Sequence, residues 1–289
     1  MINLLKSNLY RLIRQPSTWL FLAFTVINTG IACFSCGLMF GDAPWIREYT
    51  KTASAMMKES GFGVDFETLI SSITMSVRSA FEFSAYGILG SFGLLLSPTI
   101  IMIFFIVAFI LREKAYGFVK NLLPVYSRNR IEAGNLMMIL IFSAVITLIG
   151  ALTGVLLSGF FYASAIPSGS FLRFLVYYFT ETLLLTVIGI FILILMEIFR
   201  RPFWGGLLAI VYFSLGSAVF YGILSGLVSG IAGKQVQVQA YLPFGCISSM
   251  IYSDDGSLRR SMIVALIFGA VLVALRFYMV KNKELKDTI

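Results

Sequence analysis

Six long apolar runs constrain what this chain can fold into. A helix needs about 20 residues to cross the roughly 30 Å of hydrocarbon in a membrane, and each run reaches that length: residues 19–40, 86–111, 136–163, 172–199, 204–231 and 261–280. The strands of a membrane β-barrel would instead be short segments of alternating apolar and polar residues. The runs therefore predict an all-α integral membrane protein with six transmembrane helices, in a single domain over residues 1–289.

The composition of the whole chain agrees with this class. Hydrophobic residues make up 58% of the 289 and charged residues only 12%, so a soluble fold of this length would leave too much apolar surface in water. The first residues lack the short apolar core and cleavage site of a secretory signal, and we expect no removed signal peptide. We expect a multi-pass protein of the cell membrane, in the plasma membrane of a bacterium.

Basic residues predict the orientation of the spans. One set of flanking segments carries thirteen Lys and Arg residues and the opposite set carries eight, four of which lie in the long loop 41–85. Because short cytoplasmic loops are enriched in Lys and Arg, we expect both termini and loop 112–135 to be cytoplasmic. Loops 41–85 and 232–260 are then external. The net charge of +8 comes from cations that border the spans, so we expect no nucleic-acid partner.

The first sixteen residues, 1–16, have the pattern of an amphipathic helix. Pro16 interrupts the pattern before the first span, because proline cannot continue a helix. One face is polar, and the opposite face carries Ile2, Leu5, Leu9, Leu12 and Ile13. This pattern predicts a helix that lies in the inner membrane interface. A frayed helical extension of the first span is the alternative.

The loop between the second and third spans, 112–135, is longer than a simple reversal of direction requires. It carries five Lys and Arg residues between positions 112 and 130. Gly117 permits a turn, Pro124 ends the helix that follows, and Ser127 can cap the next one. Between the turn and the proline lies an apolar patch of Phe118, Val119, Leu122 and Leu123. The pattern predicts a short amphipathic helix, either presented to a cytoplasmic partner or lying on the lipid headgroups.

With an amphipathic amino-terminal helix, six spans and both ends inside, the chain resembles the membrane subunits of type-2 ATP-binding-cassette (ABC) exporters. The segment REKAYGFVKNLLPVYSRNRIEAGN carries the resemblance. In that family an acidic residue and a glycine lead into a basic, apolar coupling helix, and a Ser-Arg or similar pair precedes the third span. The matching residues here are Glu113, Gly117, Lys120, Asn121, Leu122, Pro124, Ser127 and Arg128. Asn135 stands where the family often has a lysine.

The resemblance implies a non-catalytic transport subunit. Its coupling helix would dock in a groove of a separate cytoplasmic ATPase, with Phe118, Val119 and Leu122 as anchors and Lys120 and Arg128 at the rim. ATP and Mg would bind that ATPase, and this chain would bind no cofactor. The sequence agrees, because it contains no G-x-x-x-x-G-K-[ST] stretch for holding phosphates.

The same resemblance implies a half-transporter that pairs with a second permease, either an identical copy or a paralogue. The groove between two such chains would be lined mainly by Phe, Leu, Ile, Tyr and Met. Such a lining favours an amphipathic cargo over a free sugar or ion. A peptide moving out of the cytoplasm is the first expectation and a lipid-linked glycan the second.

A polytopic membrane enzyme is a rival class that the residues oppose. The chain has no histidine, which removes His-based catalysis and His-ligated metal sites. No G-x-S-x-G elbow occurs, and the adjacent Asp254 and Asp255 belong to a Gly-containing turn that favours solvated side chains. We interpret Cys33, Cys36 and Cys246 as small apolar residues, because no further ligands for a metal site accompany them.

Glu181 lies in the fourth span, about 13 Å from the start of that run. An ionised carboxylate is costly there. As a functional group it would relay protons or contact a cationic substrate, which would suit a secondary transporter or channel working without ATP. As a structural group it would be a neutral acid bonded to a Tyr or Ser on a neighbouring helix. Arg173, Glu197 and Arg276 lie near span ends, where we expect their side chains to snorkel toward the membrane surface.

The segment between the fifth and sixth spans is apolar over residues 241–252 but too short to cross a membrane. The family resemblance implies a re-entrant or surface helical pair there, and an apolar loop folded on the bundle is the alternative. The fifth span carries glycines at helical spacing, which permit close helix approach: Gly216, Gly222, Gly226 and Gly230. We expect that surface to face the second permease.

Overall fold

The computed structural model describes residues 2–40, 44–45, 48, 51–52, 98–111, 125–161, 171–199, 202–213, 217–233, 238–249 and 255–286. Helices account for nearly all of these residues, and no strand occurs in this described part of the chain. The predicted all-α class is therefore confirmed. The predicted external loop 41–85 lies almost wholly outside the described residues.

Nine α-helices of the described part of the chain have defined bounds. They are α1 (Ile2–Arg14), α2 (Pro16–Phe40), α3 (Pro98–Phe105), α4 (Arg128–Phe161), α5 (Phe171–Ile198), α6 (Pro202–Val211), α7 (Ser217–Ala232), α8 (Pro243–Ser249) and α9 (Asp255–Lys286). A π-helix, Ile106–Leu111, continues α3, and a 3₁₀ turn, Val238–Tyr241, precedes α8. Four of the helices begin at a proline, a position where its missing N–H removes no hydrogen bond.

Three of these helices contain segments long and apolar enough to cross a membrane: Arg128–Gly154, Phe171–Ile198 and Asp255–Asn282. They correspond to the predicted third, fourth and sixth spans. The first predicted span falls within α2, and shorter apolar helices, Pro98–Ile110 and Phe220–Ile231, fall within the second and fifth. The total of six spans and the cytoplasmic placement of both termini remain predictions.

Helix α5 lies at the centre of the bundle. Of its most apolar stretch, 78% of the residues are buried, against 39% in α4 and 22% in α9. It packs against α3, α4, α6, α8 and α9. Glycines permit the closest contacts: a Cβ at Gly205 of α6 would lie 2.5 Å from the Cα of Met196 in α5. The two backbones therefore touch at this point, which no larger residue allows without displacement.

Helix α1 is separated from α2 at Gln15, rather than continuing as an extension of it. Its predicted apolar face is divided between two environments. Leu12 is buried with Leu4 and Asn8 on the side that packs against α4, whereas Leu9 and Ile13 are exposed. The helix thus has a protein-facing side and an exposed apolar strip. Such a strip suits a lipid surface, and the interfacial location remains a prediction.

Helix α8 accounts for the apolar segment between the fifth and sixth predicted spans. Its Cys246 has no exposed surface and packs with Tyr177 and Leu184 of α5 and Val264 of α9. At 1.5 Å per residue, Tyr177 and Leu184 lie about 9 and 20 Å from the start of α5, and Val264 about 14 Å from the start of α9. Helix α8 therefore packs beside α5 and α9 away from their first residues, and its re-entrant character remains a prediction.

Candidate coupling site and buried charged residues

Most of the predicted coupling residues lie outside the described part of the structure: Glu113, Gly117, Phe118, Val119, Lys120, Asn121, Leu122 and Pro124. We call residues 112–127 the coupling segment. Its described residues begin at Val125 and include Ser127, and Arg128 follows as the first residue of α4. The structure therefore shows how the segment is attached to the bundle, at the end of the π-helix and at the start of α4.

Ser127 occupies the N-cap position that the sequence predicts. Helix α4 begins at Arg128, and the Ser127 carbonyl accepts hydrogen bonds from the amides of Arg130 at 2.9 Å and Ile131 at 3.1 Å. An N-cap carbonyl of this kind accepts the first bond of the helix. Val125 is 69% exposed, and Asn129 and Arg130 are also exposed. This attachment is accessible to a partner.

Helix α1 packs against both helices to which the coupling segment is attached, the π-helix and α4. The Arg11 guanidinium lies 4.0 Å from the centre of the Phe109 ring in the π-helix, a cation–π contact. On the other side, a Cβ at Gly134 of α4 would lie 3.2 Å from Leu4 Cδ2 and 3.5 Å from Asn8 Nδ2. Burial lowers the pKa of Arg11 to about 10, so the side chain stays cationic at neutral pH.

A buried cluster of three charged side chains joins α4, α5 and α9 at the same end of the bundle as α1. Arg276 of α9 donates from Nε to Glu132 Oε1 of α4 at 2.6 Å. It also donates from Nη1 and Nη2 to Oε2 and Oε1 of Glu197 in α5, at 2.5 and 2.8 Å. The side chains of Arg276, Glu132 and Glu197 are 0%, 6% and 7% exposed. We call these three residues the charged triad.

The triad corrects the expectation that Glu197 and Arg276 snorkel to the membrane surface. Two charges in a low-dielectric interior must bond to each other to offset the loss of hydration, and a guanidinium can serve two carboxylates through its fixed fork of donors. The sequence pattern places Glu132 near the cap at the start of the third span and does not predict its buried ion pair. The sequence does contain a signal for the triad. Glu132, Glu197 and Arg276 lie near the ends of the third, fourth and sixth apolar runs, and these ends meet on the same side of an antiparallel bundle.

Glu181 lies ten residues into α5 and is 3% exposed. The Tyr177 hydroxyl, one turn earlier on the same helix, donates a hydrogen bond to its carboxyl group. Its second oxygen, Oε2, has no hydrogen-bond partner among the described residues. The structural interpretation expected a partner on a neighbouring helix, whereas the described partner belongs to α5 itself.

The structure does not bring Glu181 together with the coupling segment. Glu197, at the triad, is sixteen residues further along α5, or about 24 Å. Glu181 instead shares a helix face with Tyr177 and Leu184, which are buried in the apolar cluster that α5 forms with α8 and α9. Within the described residues, no group of three or more His, Cys, Asp or Glu side chains is arranged to hold a metal ion.

The opposite end of the bundle carries an ion pair of a different kind. Arg173 Nη2, near the start of α5, lies 2.6 Å from Asp255 Oδ1 at the start of α9. The two side chains are 29% and 74% exposed. Asp255 is the first residue of α9 rather than part of a turn. A negative charge at a helix N-terminus interacts favourably with the helix dipole.

Comparison of the chain with protein-family models, with curated proteins and with solved structures found no match. Assignment to a family therefore rests on the residues and topology given above and is a proposal.

Proposed function

We propose that this chain is the permease subunit of a type-2 ABC exporter, whose coupling segment docks on a separate cytoplasmic ATPase. One observation carries the proposal: both attachments of the segment are held in place, by α1 at Phe109 and Gly134 and by the triad at Glu132. A segment that receives force from a partner must be anchored in the helices that it moves.

Exposed residues at the end of the coupling segment and in the first turn of α4 agree with a docking role. Val125, Asn129 and Arg130 present an apolar side chain, an amide and a cation near the N-terminus of α4. Interfaces of this kind combine buried apolar anchors with a polar rim. ATP and Mg belong to the partner ATPase in this proposal, and the membrane chain performs no chemistry.

A second permease, identical or paralogous, completes the proposed exporter. Helix α7 exposes Gly222, Gly226 and Gly230, and a Cβ at each would meet no described atom within 4 Å. Small residues at this spacing allow two membrane helices to approach closely, so this glycine face suits the neighbouring permease. The proposed cargo is amphipathic, in the first place a peptide exported from the cytoplasm.

The test is to isolate the full chain, with an affinity tag, from its native membrane and to reconstitute the eluate in lipid discs. We expect Mg-dependent, vanadate-sensitive ATP hydrolysis, and a co-purified subunit that is labelled by a photoreactive ATP analogue. The membrane chain itself should remain unlabelled. An eluate without any ATP-binding subunit would contradict the proposal.

One oxygen of Glu181 has no hydrogen-bond partner among the described residues, which favours a second candidate, a secondary transporter or channel that works without ATP. A deeply buried carboxyl group with a free oxygen is typical of proton and cation pathways in membrane proteins. The test uses the purified chain alone in vesicles that contain a pH-sensitive dye. Proton flux driven by a pH gradient, present in the wild type and lost in Glu181→Gln, would favour this candidate over the exporter.

A further inference from the structure

We propose that Arg276 is a positioning residue, which fixes the first turns of α4 against α5 and α9 so that the coupling segment and these helices move together. The inference rests on the proposed function, because a segment without an ATPase would have no motion to transmit. It goes beyond that function by naming the route from the coupling segment into the bundle.

The route is short at its first step. Glu132 is five residues after Ser127, which is about 8 Å along α4. From Glu132 the connection passes to Arg276 at 2.6 Å, and from Arg276 to both oxygens of Glu197. A displacement of the start of α4 therefore reaches α5 and α9 through three hydrogen bonds from one rigid guanidinium.

The geometry of these bonds fixes angles as well as distances. A bidentate pair aligns the guanidinium and carboxylate planes, so Arg276 and Glu197 hold a defined mutual orientation. The remaining Nε–H then points in one direction, toward Glu132. Apolar side chains of similar volume would fill the same space without such directional constraint, because dispersion contacts permit sliding.

Burial of the triad side chains is the reason that these helix ends should move as a unit. Separating Arg276 from either partner would leave a charge in a low-dielectric interior, since all three side chains are at most 7% exposed. The energetic cost of such a stranded charge is larger than the benefit of the intact pair over an apolar replacement. The triad therefore opposes independent motion of the three helices more strongly than it adds to stability.

The triad can therefore be tested with variants that remove its effect on helix motion without unfolding the chain. Glu132→Gln keeps the shape of the side chain while removing its charge. The triple variant Glu132→Gln with Glu197→Gln and Arg276→Met removes every charge of the triad and strands none, so it should fold. The control Asp255→Asn breaks the exposed ion pair that joins α5 and α9 at the other end.

The measurement uses the complex with its co-purified ATPase in lipid discs. The chain's three cysteines are replaced by alanine, and Met262→Cys, at a 38% exposed site in the first turns of α9, serves as the reporter. We measure the rate of labelling by a water-soluble maleimide without nucleotide and after trapping with ATP, Mg and vanadate. With an intact triad, we expect trapping to change this rate about fivefold or more.

In Glu132→Gln and in the triple variant, the ATPase should still co-purify, and trapping should change the labelling rate by less than about twofold. The Asp255→Asn control should keep the full response. The inference is overturned if the triple variant responds as the wild type does, or if the control loses the response to the same extent. If the wild type brings down no ATPase, the proposed function fails and this inference fails with it.

Discussion

The two ends of the helix bundle hold their charged residues in different ways. At the end that carries α1, the side chains of Arg276, Glu132 and Glu197 are at most 7% exposed and are joined by three hydrogen bonds. At the other end the ion pair between Arg173 and Asp255 is largely exposed. Exposed pairs contribute about 0–1 kcal/mol, because water and ions screen them. Among the described residues, buried charge therefore fixes helix positions at the α1 end, and the described pair at the other end contributes less.

The packing of small residues follows the same division. Gly205 lies against the backbone of Met196 near the α1 end, where α6 begins and α5 is close to its last residue. The glycines of α7 meet no described atom within 4 Å. Close backbone contact fixes the distance between two helices, whereas an open face leaves that distance to a partner. Contacts within this chain thus fix the helices at the α1 end, whereas the glycine face is open among the described residues.

The largest expected effect concerns a partner at the α1 end. Phe118→Ala combined with Leu122→Ala should weaken ATPase binding by at least about 4 kcal/mol, because each buried anchor in such an interface contributes about 2 kcal/mol or more. The measurement is co-purification together with vanadate-sensitive ATP hydrolysis in lipid discs. Lys120→Ala is the control and should cost less than about 1 kcal/mol, since a charge at the rim remains hydrated.

A double variant that kept its ATPase and its coupled activity would make the coupling segment a membrane-surface helix. The two ends of the bundle would then differ in packing alone, without a functional reason. The proposal of an ABC permease would also lose its main support in the residues of this chain.

The second prediction tests the burial of the triad directly. Arg276→Met should destabilise the folded chain by about 3–5 kcal/mol, because it leaves two buried carboxylates without their counter-charge. Arg173→Met removes the corresponding charge at the other end and should cost less than about 1 kcal/mol. Unfolding in lipid–detergent mixtures by a denaturant measures both values. Equal effects of the two substitutions would remove the distinction between the ends.

The third prediction compares two glycines. Gly205→Ala should destabilise the chain by about 1–3 kcal/mol, because its Cβ would displace α6 from the backbone of α5. Gly226→Ala should leave the stability of the single chain unchanged or raise it by up to about 1 kcal/mol, since alanine is the better helix former. Gly226→Ala should nevertheless weaken pairing with a second permease, measured by cross-linking in the native membrane. A pairing that survives this substitution would place the second permease elsewhere.

Features that depend on local sequence could be predicted, and features that depend on distant partners could not. The length of an apolar run is local, so the all-α class is confirmed, and three of the predicted spans correspond to helices long and apolar enough to cross a membrane. The cap at Ser127 is equally local. The start of the third span was placed at residue 136, whereas α4 begins at Arg128, because polar residues interrupt a hydropathy pattern without ending a helix.

The triad was missed because its members are 65 and 79 residues apart along the chain. A single sequence contains no measure of which span ends meet, and each charge near a span end is individually compatible with snorkelling. The sequence leaves the placement of α8 open for a related reason. Composition gives the length of an apolar segment, and depth in the bundle depends on the helices that receive it.

The smallest expected effect belongs to Glu181, which lies between the two ends. Glu181→Gln should change folding stability by less than about 1 kcal/mol and leave ATPase assembly intact, because a neutral acid and an amide offer similar hydrogen bonds to Tyr177. Thermal unfolding and co-purification of the ATPase measure these two properties. If the variant assembled normally and yet abolished transport, Glu181 would be functional, and a proton-coupled carrier would replace the exporter. The bundle would then have its working site midway along α5, where neither the triad nor the exposed ion pair acts.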